Sequence, residues 1–386
     1  MHPQTKLTLA GQRTDECYNS IAPPIYQTAT FRFEDTGETS GYDYTRSGNP
    51  TRAAYEEALA DLEEGAGCAA CTTGMAAIST VLSLFEAGAH VVCSHDCYGG
   101  TERLLSHLAA QGKLEVTYVD LTNAENLRRA LRPETRAVWV ETPSNPLLRV
   151  TDLGDVAREV QQTDALFVVD NTFLSPVFQK PLAFGADLVV HSTTKYVNGH
   201  SDVVGGAVIA ATETLDEQVQ FAANAHGTVA QPFDCWLALR GLKTLPVRMR
   251  QHEENALAVA RFLQDHGAVQ RVYYPGLPAH EDHKLAARQQ DGFGGMVSFE
   301  LRGGEKEVRQ LLRSTRVFAL AESLGGVESL IEHPATMSHA SMSADQRANA
   351  GITENVIRLS VGIERAEDLK ADLEQALETA GHPVPT

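Results

Sequence analysis

Residues 186–195 read Ala186-Asp187-Leu188-Val189-Val190-His191-Ser192-Thr193-Thr194-Lys195, an apolar run that ends in hydroxyls and a lysine. Earlier runs have the same form. His90-Val91-Val92-Cys93 leads into Tyr98, Ala137-Val138-Trp139-Val140 into Glu141 and Asn145, and Ala165-Leu166-Phe167-Val168-Val169 into Asp170-Asn171. Short, uninterrupted, β-branched runs suit strands buried on both faces of a parallel sheet. Ligands of such sheets bind beyond the carboxyl ends of the strands. The expected fold is therefore α/β, with an aromatic ring, acids, hydroxyls and a lysine brought to one sheet edge. These groups suit pyridoxal phosphate (PLP), which takes a lysine as its Schiff-base partner and an acid beside its pyridinium nitrogen.

At 386 residues the chain exceeds one small core, and two domains are expected. Its net charge of −18 argues against a nucleic-acid surface, which needs a local basic excess. No apolar run is long enough to span a bilayer. The start, Met1-His2-Pro3-Gln4-Thr5-Lys6, lacks the apolar core of a secretion signal, so the expected compartment is the cytoplasm. Cys68-x-x-Cys71 and Cys93-x-x-x-Cys97 loosely imitate a four-thiolate zinc site. Cys93 lies inside an expected buried strand, however, where a free thiol behaves as a small hydrophobe, and no metal is expected.

Residues 1–45 are rich in Thr, Pro and Gly and read as an extended arm. From Thr51 to about Glu64 an amphipathic helix is expected, with Tyr55, Ala58, Leu59 and Leu62 on one face. Cys71-Thr72-Thr73-Gly74-Met75 opens a second helix that continues through Leu84. Strand and helix then alternate to about Ala210, as crossover connections demand. A helical stretch begins near Leu239 and continues from Asn255 to Leu263. The expected organisation is the arm 1–45, a large cofactor-binding α/β domain 46–245 and a smaller α+β domain 246–386.

The helix opening at Gly74 and Met75 is either a phosphate cradle or an ordinary start capped by threonine. Asp170 is either a helix cap or the carboxylate that keeps a pyridinium nitrogen protonated. Lys195 gains meaning from the hydroxyls before it, because desolvation there would lower its pKa and favour an imine.

Several longer stretches carry a family resemblance. They are Tyr42-Asp43-Tyr44-Thr45-Arg46-Ser47-Gly48-Asn49-Pro50-Thr51, Asp96-Cys97-Tyr98-Gly99-Gly100-Thr101 and Glu141-Thr142-Pro143-Ser144-Asn145-Pro146. Next come Val169-Asp170-Asn171-Thr172-Phe173 and the run from Ser192 to Asp202. Ala321-Glu322-Ser323-Leu324-Gly325-Gly326 and Ile357-Arg358-Leu359-Ser360 complete the set. Over nearly its whole length the chain resembles the Cys/Met-metabolism PLP enzymes, the cystathionine γ-synthases, γ-lyases and their relatives. The resemblance implies the aspartate-aminotransferase-like fold (fold type I). It makes Lys195 the Schiff-base lysine, Asp170 the pyridinium partner and Tyr98 the ring that stacks on the cofactor. Gly74, Met75, Ser192 and Thr194 would hold the phosphate, with Tyr44 and Arg46 reaching it from a neighbouring subunit. Arg358 would hold the substrate α-carboxylate, helped by Asn145 and Ser323. The implied assembly is a homotetramer, a dimer of dimers with sites shared across an interface.

The implied chemistry acts at Cγ. Lys195 would move protons at the α and β carbons, and Tyr98, lowered in pKa by the cofactor's cationic surroundings, would serve as an acid or base. Glu322 stands where similar γ-acting enzymes carry glutamate. Asp43 and Arg103 resemble γ-synthases that use O-succinylhomoserine, with Arg103 on a distal carboxylate and Asp43 on the amine of incoming cysteine. Ser47 departs from that pattern, since some synthases carry arginine there. Leu239-Arg240-Gly241-Leu242-Lys243-Thr244-Leu245-Pro246 looks as much like the γ-lyases. Synthase leads, γ-lyase is the alternative, and β-lyase or O-acylhomoserine sulfhydrylase follow. An inactive binding protein of this fold is opposed by the intact Lys195, Asp170, Tyr98 and Arg358. A nicotinamide dehydrogenase fails because no Gly-x-Gly-x-x-Gly follows the early strands.

Overall fold

The computed structural model describes residues 1–381 except 13, 16, 341, 343–346 and 349. The larger of its sheets contains β1 (Gly67–Cys71), β2 (Ala89–Ser94), β3 (Leu114–Val119) and β4 (Thr135–Glu141), followed by β5 (Leu166–Asp170), β6 (Leu188–His191) and β7 (Gly206–Ala210). They lie in the order β1-β7-β6-β5-β4-β2-β3. Strands β2 to β6 pair in parallel, whereas β7 is antiparallel to both β1 and β6.

The four apolar runs are β2, β4, β5 and β6, and both faces of the sheet are covered. On β4, Ala137 and Trp139 pack with Ile78 and Leu105, from helices Gly74–Leu82 and Gly99–Ala110. Val138 and Val140 face the other way, onto Leu127 and Val156, from helices Ala124–Ala130 and Leu153–Val160. With apolar helices on either side, the middle positions of these strands must be apolar and polar residues fall at their ends, which is why the runs are unbroken. The chain passes from β2 to edge strand β3, then returns across β2 to β4, so the strand order reverses between β2 and β4. A crevice opens at such a reversal.

The expected amphipathic helix spans Pro50–Glu63. Asn49 caps it by accepting from the Thr51 and Arg52 amides, Pro50 fits the first turn, and Glu64 stops it in a left-handed conformation. The next helix ends at Leu82, short of Leu84, where Ser83 takes the cap. The arm is less extended than its composition suggests. A short helix, Pro3–Leu9, forms because the buried Leu7 anchors it to the core. The stretch near Leu239 is two helices, Pro232–Leu242 and Leu245–Asp265. Pro246 separates them, since a residue without an N–H belongs in the first turn of a helix.

The second sheet contains β8 (Val269–Tyr273), β9 (Met296–Leu301), β10 (Ala319–Leu320), β11 (Leu330–Glu332) and β12 (Val356–Ser360), in the order β10-β11-β12-β9-β8. On β12, Ile357 and Leu359 pack with Val259 and Leu373 of the covering helices. Arg358 and Ser360 alternate to the opposite face, toward the ends of the first sheet. Among the described residues no helix is long and apolar enough to cross a membrane.

Buried Asp372, on helix Ala366–Thr379, fixes the approach to β10. Its carboxylate accepts from the amides of Arg316 (2.7 Å), Val317 (2.8 Å) and Phe318 (3.0 Å). Hydrogen bonds to an ionised group are the strong ones, and the amides have no water to fall back on. Asp372→Ala is expected to lower unfolding free energy by about 3 kcal/mol, measured by urea denaturation.

Candidate active site

The ends of β2, β4, β5 and β6 deliver side chains to one cavity of about 390 Å³, closed from above by the second sheet and its loops. Strand register sets the floor. Glu141 pairs with Asp170, and Asp170 with Val190, so these neighbours share a face and all line the cavity. Ser192, Thr194 and Lys195 follow on the same side.

Asp170 is buried, and burial raises its carboxyl above the usual range while hydrogen bonds from Thr172 oppose that rise. Its Oδ1 accepts from the Thr172 amide (3.0 Å) and hydroxyl (2.6 Å). The Thr172 hydroxyl oxygen in turn accepts from the Ser192 amide at 2.9 Å. Thr172 therefore spaces the acid from the hydroxyl cluster, a role its position in the sequence did not reveal. Glu141 is buried beside Asp170, and that burial, with the neighbouring acid, pushes its carboxyl well up. Glu141 Oε2 accepts from the Tyr98 amide at 2.7 Å, which fixes the start of the helix that carries the ring.

Lys195 Nζ donates to Ser323 Oγ at 2.9 Å. Desolvation, reinforced by the nearby Arg358 charge, lowers the Lys195 amine to about 8. Ser323 holds a left-handed backbone, φ +86°, that costs a non-glycine residue roughly 1–3 kcal/mol. That geometry lets its hydroxyl meet Lys195 while its carbonyl accepts from Arg358 Nη2 at 2.8 Å.

Arg358 is buried and held from three sides. Its Nη1 donates to Asn145 Oδ1 at 3.0 Å, and its Nη2 lies 2.9 Å from Glu332 Oε2. Glu332 sits directly opposite Arg358 across β11 and β12, a partner that only the antiparallel pairing exposes. Its Oε1 accepts from Ser338 Oγ at 2.5 Å. The backbone carbonyl of Asn145 meets His339 Nε2 at 3.2 Å, and burial lowers His339 to about 4, so that ring is neutral. Arg103 and Glu322 line the same cavity.

Not every expected residue behaves as the sequence suggested. Thr194 lines the cavity, but its hydroxyl donates to the Gly205 carbonyl at 3.1 Å and accepts from the Gly205 amide at 3.0 Å, so in this geometry it has no proton to offer a phosphate. Burial raises the Tyr98 phenol, with Arg103 the main opposing influence, so a lowered phenol would need the cofactor's own cationic surroundings. Asp43, Tyr44 and Arg46 lie elsewhere in the same chain. Tyr44 and Arg46 line a separate surface cleft with Gly227 and Gln231. Arg46 Nη1 donates to the Asn224 carbonyl and Oδ1, both at 2.8 Å. Asp43 Oδ1 accepts from the Tyr44 amide at 2.6 Å.

The cavity fits PLP by its donor chemistry. Thr73 Oγ1 takes the Ala76 amide at 2.8 Å, and the first-turn amides of Gly74 and Met75 face the cavity as an anion site. A Cβ on Gly74 would stand 2.8 Å from the Ser192 Cβ, so only glycine lets this helix start pack directly against the Ser192 turn and bring both to the same wall of the cavity. The family description "Cys/Met metabolism PLP-dependent enzyme" matches residues 4–378. The chain belongs to that family.

Similar proteins carry three names. Cystathionine γ-synthase of Xanthomonas oryzae pv. oryzae, solved with cystathionine, is 53% identical, with a TM-score of 0.97 over 99% of both chains. Cystathionine β-lyase of Coxiella burnetii is 47% identical over 378 residues, 97% of this chain and 98% of that protein. Cystathionine γ-lyase of Bacillus subtilis is 47% identical over 378 residues, 98% of this chain and all (100%) of that one. The chain is thus a PLP-dependent enzyme of cystathionine metabolism.

The lowered amine of Lys195 gives a direct test on the cofactor-free protein. It is protonated below about pH 8 and nucleophilic above it. Reductive methylation of Lys195, followed by peptide mass spectrometry, is expected to reach half its limiting rate near pH 8. Ordinary lysines reach theirs near pH ~10.4.

Proposed function

We propose that this enzyme is a cystathionine γ-synthase, which joins an O-acylhomoserine, O-succinylhomoserine first, to cysteine and releases the acid. The observation that carries the reading is a pair of guanidinium groups, Arg103 and Arg358, lining one cavity with Lys195 and Glu322 between the same walls. A substrate with carboxylates at both ends needs two cationic anchors. Arg358, pre-oriented by Asn145, Ser323 and Glu332, takes the α-carboxylate. Arg103 takes the distal one.

Gly74, Met75 and Ser192 would hold the phosphate of PLP, with Thr194 once its hydroxyl turns from Gly205, and Asp170 would hold its nitrogen; bound there, the group would supply an electron sink for charge developing on substrate carbon. Lys195 would hold the cofactor, and its amine, when free, would take the proton from Cα and return it further along the carbon chain. Its lowered pKa puts a useful fraction of free base near neutral pH. Tyr98 would stack on the cofactor ring, and with its phenol raised by burial it would hold a proton to give. Glu322 lies close enough to act electrostatically on both Lys195 and Arg358, which keeps a cationic amine and guanidinium compatible in one cavity.

The domain reading, 1–45, 46–245 and 246–386, is supported by the separate sheets. The shared-site reading is supported by the arm's exposed apolar side chains, among them Tyr18, Ile21 and Tyr26, which suit a subunit interface. In the proposed homotetramer, Tyr44, Arg46 and Asp43 act in a neighbour's cavity.

Product analysis separates the readings. O-succinylhomoserine plus cysteine is expected to yield cystathionine and succinate faster than cystathionine alone yields 2-oxobutanoate. The reverse order supports γ-lyase, the name carried by the Bacillus subtilis relative. Losing one partner of a desolvated ion pair costs about 2–5 kcal/mol, a ~30- to several-thousand-fold loss in kcat/KM. Arg103→Ala should therefore impair O-succinylhomoserine by at least that lower bound and spare O-acetylhomoserine, which lacks the distal charge. Equal losses on both esters would remove Arg103 from the anchor role.

A mixing experiment tests the shared site. Inactive Tyr44→Phe/Arg46→Ala subunits, exchanged with inactive Lys195→Ala subunits, are expected to regain activity, because mixed dimers contain one intact site. No recovery after demonstrated exchange counts against it.

A further inference from the structure

Behind the cavity, on the opposite face of the sheet, lies a buried polar cluster that the reaction does not use. Parallel strands β5 and β6 present Asp170 and Val190 forward, so the residues that follow them, Asn171 and His191, turn to the back. Glu63, the last residue of helix Pro50–Glu63, is fully buried there with Asn171 and His191. Its Oε1 accepts from Asn171 Nδ2 at 3.0 Å and meets His191 Nε2 at 2.6 Å. Glu63 Oε2 is buried with no hydrogen-bond partner among the described residues, so both contacts pass through a single oxygen. Asn171 also exchanges bonds with Gln179, whose Nε2 donates to Asn171 Oδ1 (3.1 Å) and to the Thr142 carbonyl (3.0 Å). The cluster therefore ties together the ends of β4, β5 and β6, one residue away from Glu141 and Asp170 and immediately before Ser192.

We propose that Glu63 is a positioning residue for the cofactor: through Asn171 and His191 it fixes Asp170 against the Ser192–Lys195 turn from behind. The distance between those groups must match a rigid ligand held at both its nitrogen and its phosphate. Strand ends are where a sheet frays, because the ladder stops there. Supporting residues behind a site set its precision. Only the Oε1 acceptor matters in this arrangement, and a glutamine carbonyl reproduces it. The inference rests on Asp170 and Ser192 being cofactor contacts.

The test is titration of PLP onto cofactor-free protein, read by the absorbance of the bound cofactor, for wild type, Glu63→Ala, Glu63→Gln and Asp170→Ala. Glu63→Ala is expected to weaken PLP affinity by ~10-fold or more, the scale of a lost supporting contact, and to shift the absorbance maximum. Glu63→Gln is expected to restore both affinity and spectrum. Wild-type affinity and spectrum in Glu63→Ala, with Asp170→Ala impaired, overturns the positioning role and leaves the site assignment standing. Wild-type binding in Asp170→Ala overturns the assignment itself. Should Glu63→Ala fail to fold, Asn171→Ala decides, since it removes the link from Glu63 to the residue beside Asp170: a loss of ~10-fold in PLP affinity with a shifted absorbance maximum supports the positioning role, and wild-type affinity and spectrum overturn it.

Discussion

The site depends on one buried cation, Arg358. A guanidinium without water is tolerated only when paired and hydrogen-bonded. Here Glu332 supplies the charge from the adjacent strand, Ser323 a carbonyl and Asn145 an amide oxygen. Those partners come from β11, from the loop after β10 and from the loop after β4 of the other sheet. Satisfying one charge thus fixes the two sheets against each other and defines the cavity between them. The same contacts leave Arg358 pre-oriented, so little side-chain entropy remains to be lost when a carboxylate arrives.

A second constraint is the strained turn at Ser323. Its left-handed backbone lets one residue face two ways, hydroxyl to Lys195 and carbonyl to Arg358. Such strain persists only where surroundings over-determine it. The neighbouring Gly325 amide donates to Ser360 Oγ at 2.8 Å, and Ser360 shares the face of β12 with Arg358. The lysine, the strained turn and the arginine therefore form one connected unit, with both cations desolvated and acids set against them. Desolvation lowers the lysine amine, and the arginine charge adds to that effect. The electrostatics of the cavity follow from its closure by the second sheet.

Relatives named cystathionine γ-synthase, β-lyase and γ-lyase share this framework at similar identity, 53%, 47% and 47%, so the framework does not separate those names. Under the proposed γ-synthase reading, the difference lies in side chains that meet the distal part of the substrate, Arg103 and Glu322 of the cavity lining among them. A common fold with variable lining is what is expected when function is grafted on a scaffold.

By itself the sequence determined the central sheet and the family. Strands buried on both faces must be continuously apolar, so β2, β4, β5 and β6 could be read directly, and the polar groups after them named Tyr98, Glu141, Asp170 and Lys195. Local signals also gave helix Pro50–Glu63, since its cap and apolar face are short-range features. The sequence could not show that β7 runs antiparallel, that Glu332 faces Arg358, or that Glu63 reaches Asn171 and His191. Those pairings join residues far apart in the chain, and strand direction and register exist only once the sheets have formed. The raised phenol of Tyr98 and the spent hydroxyl proton of Thr194 were hidden for the same reason. Burial and hydrogen-bond competition are properties of the packed molecule, and no residue type announces them.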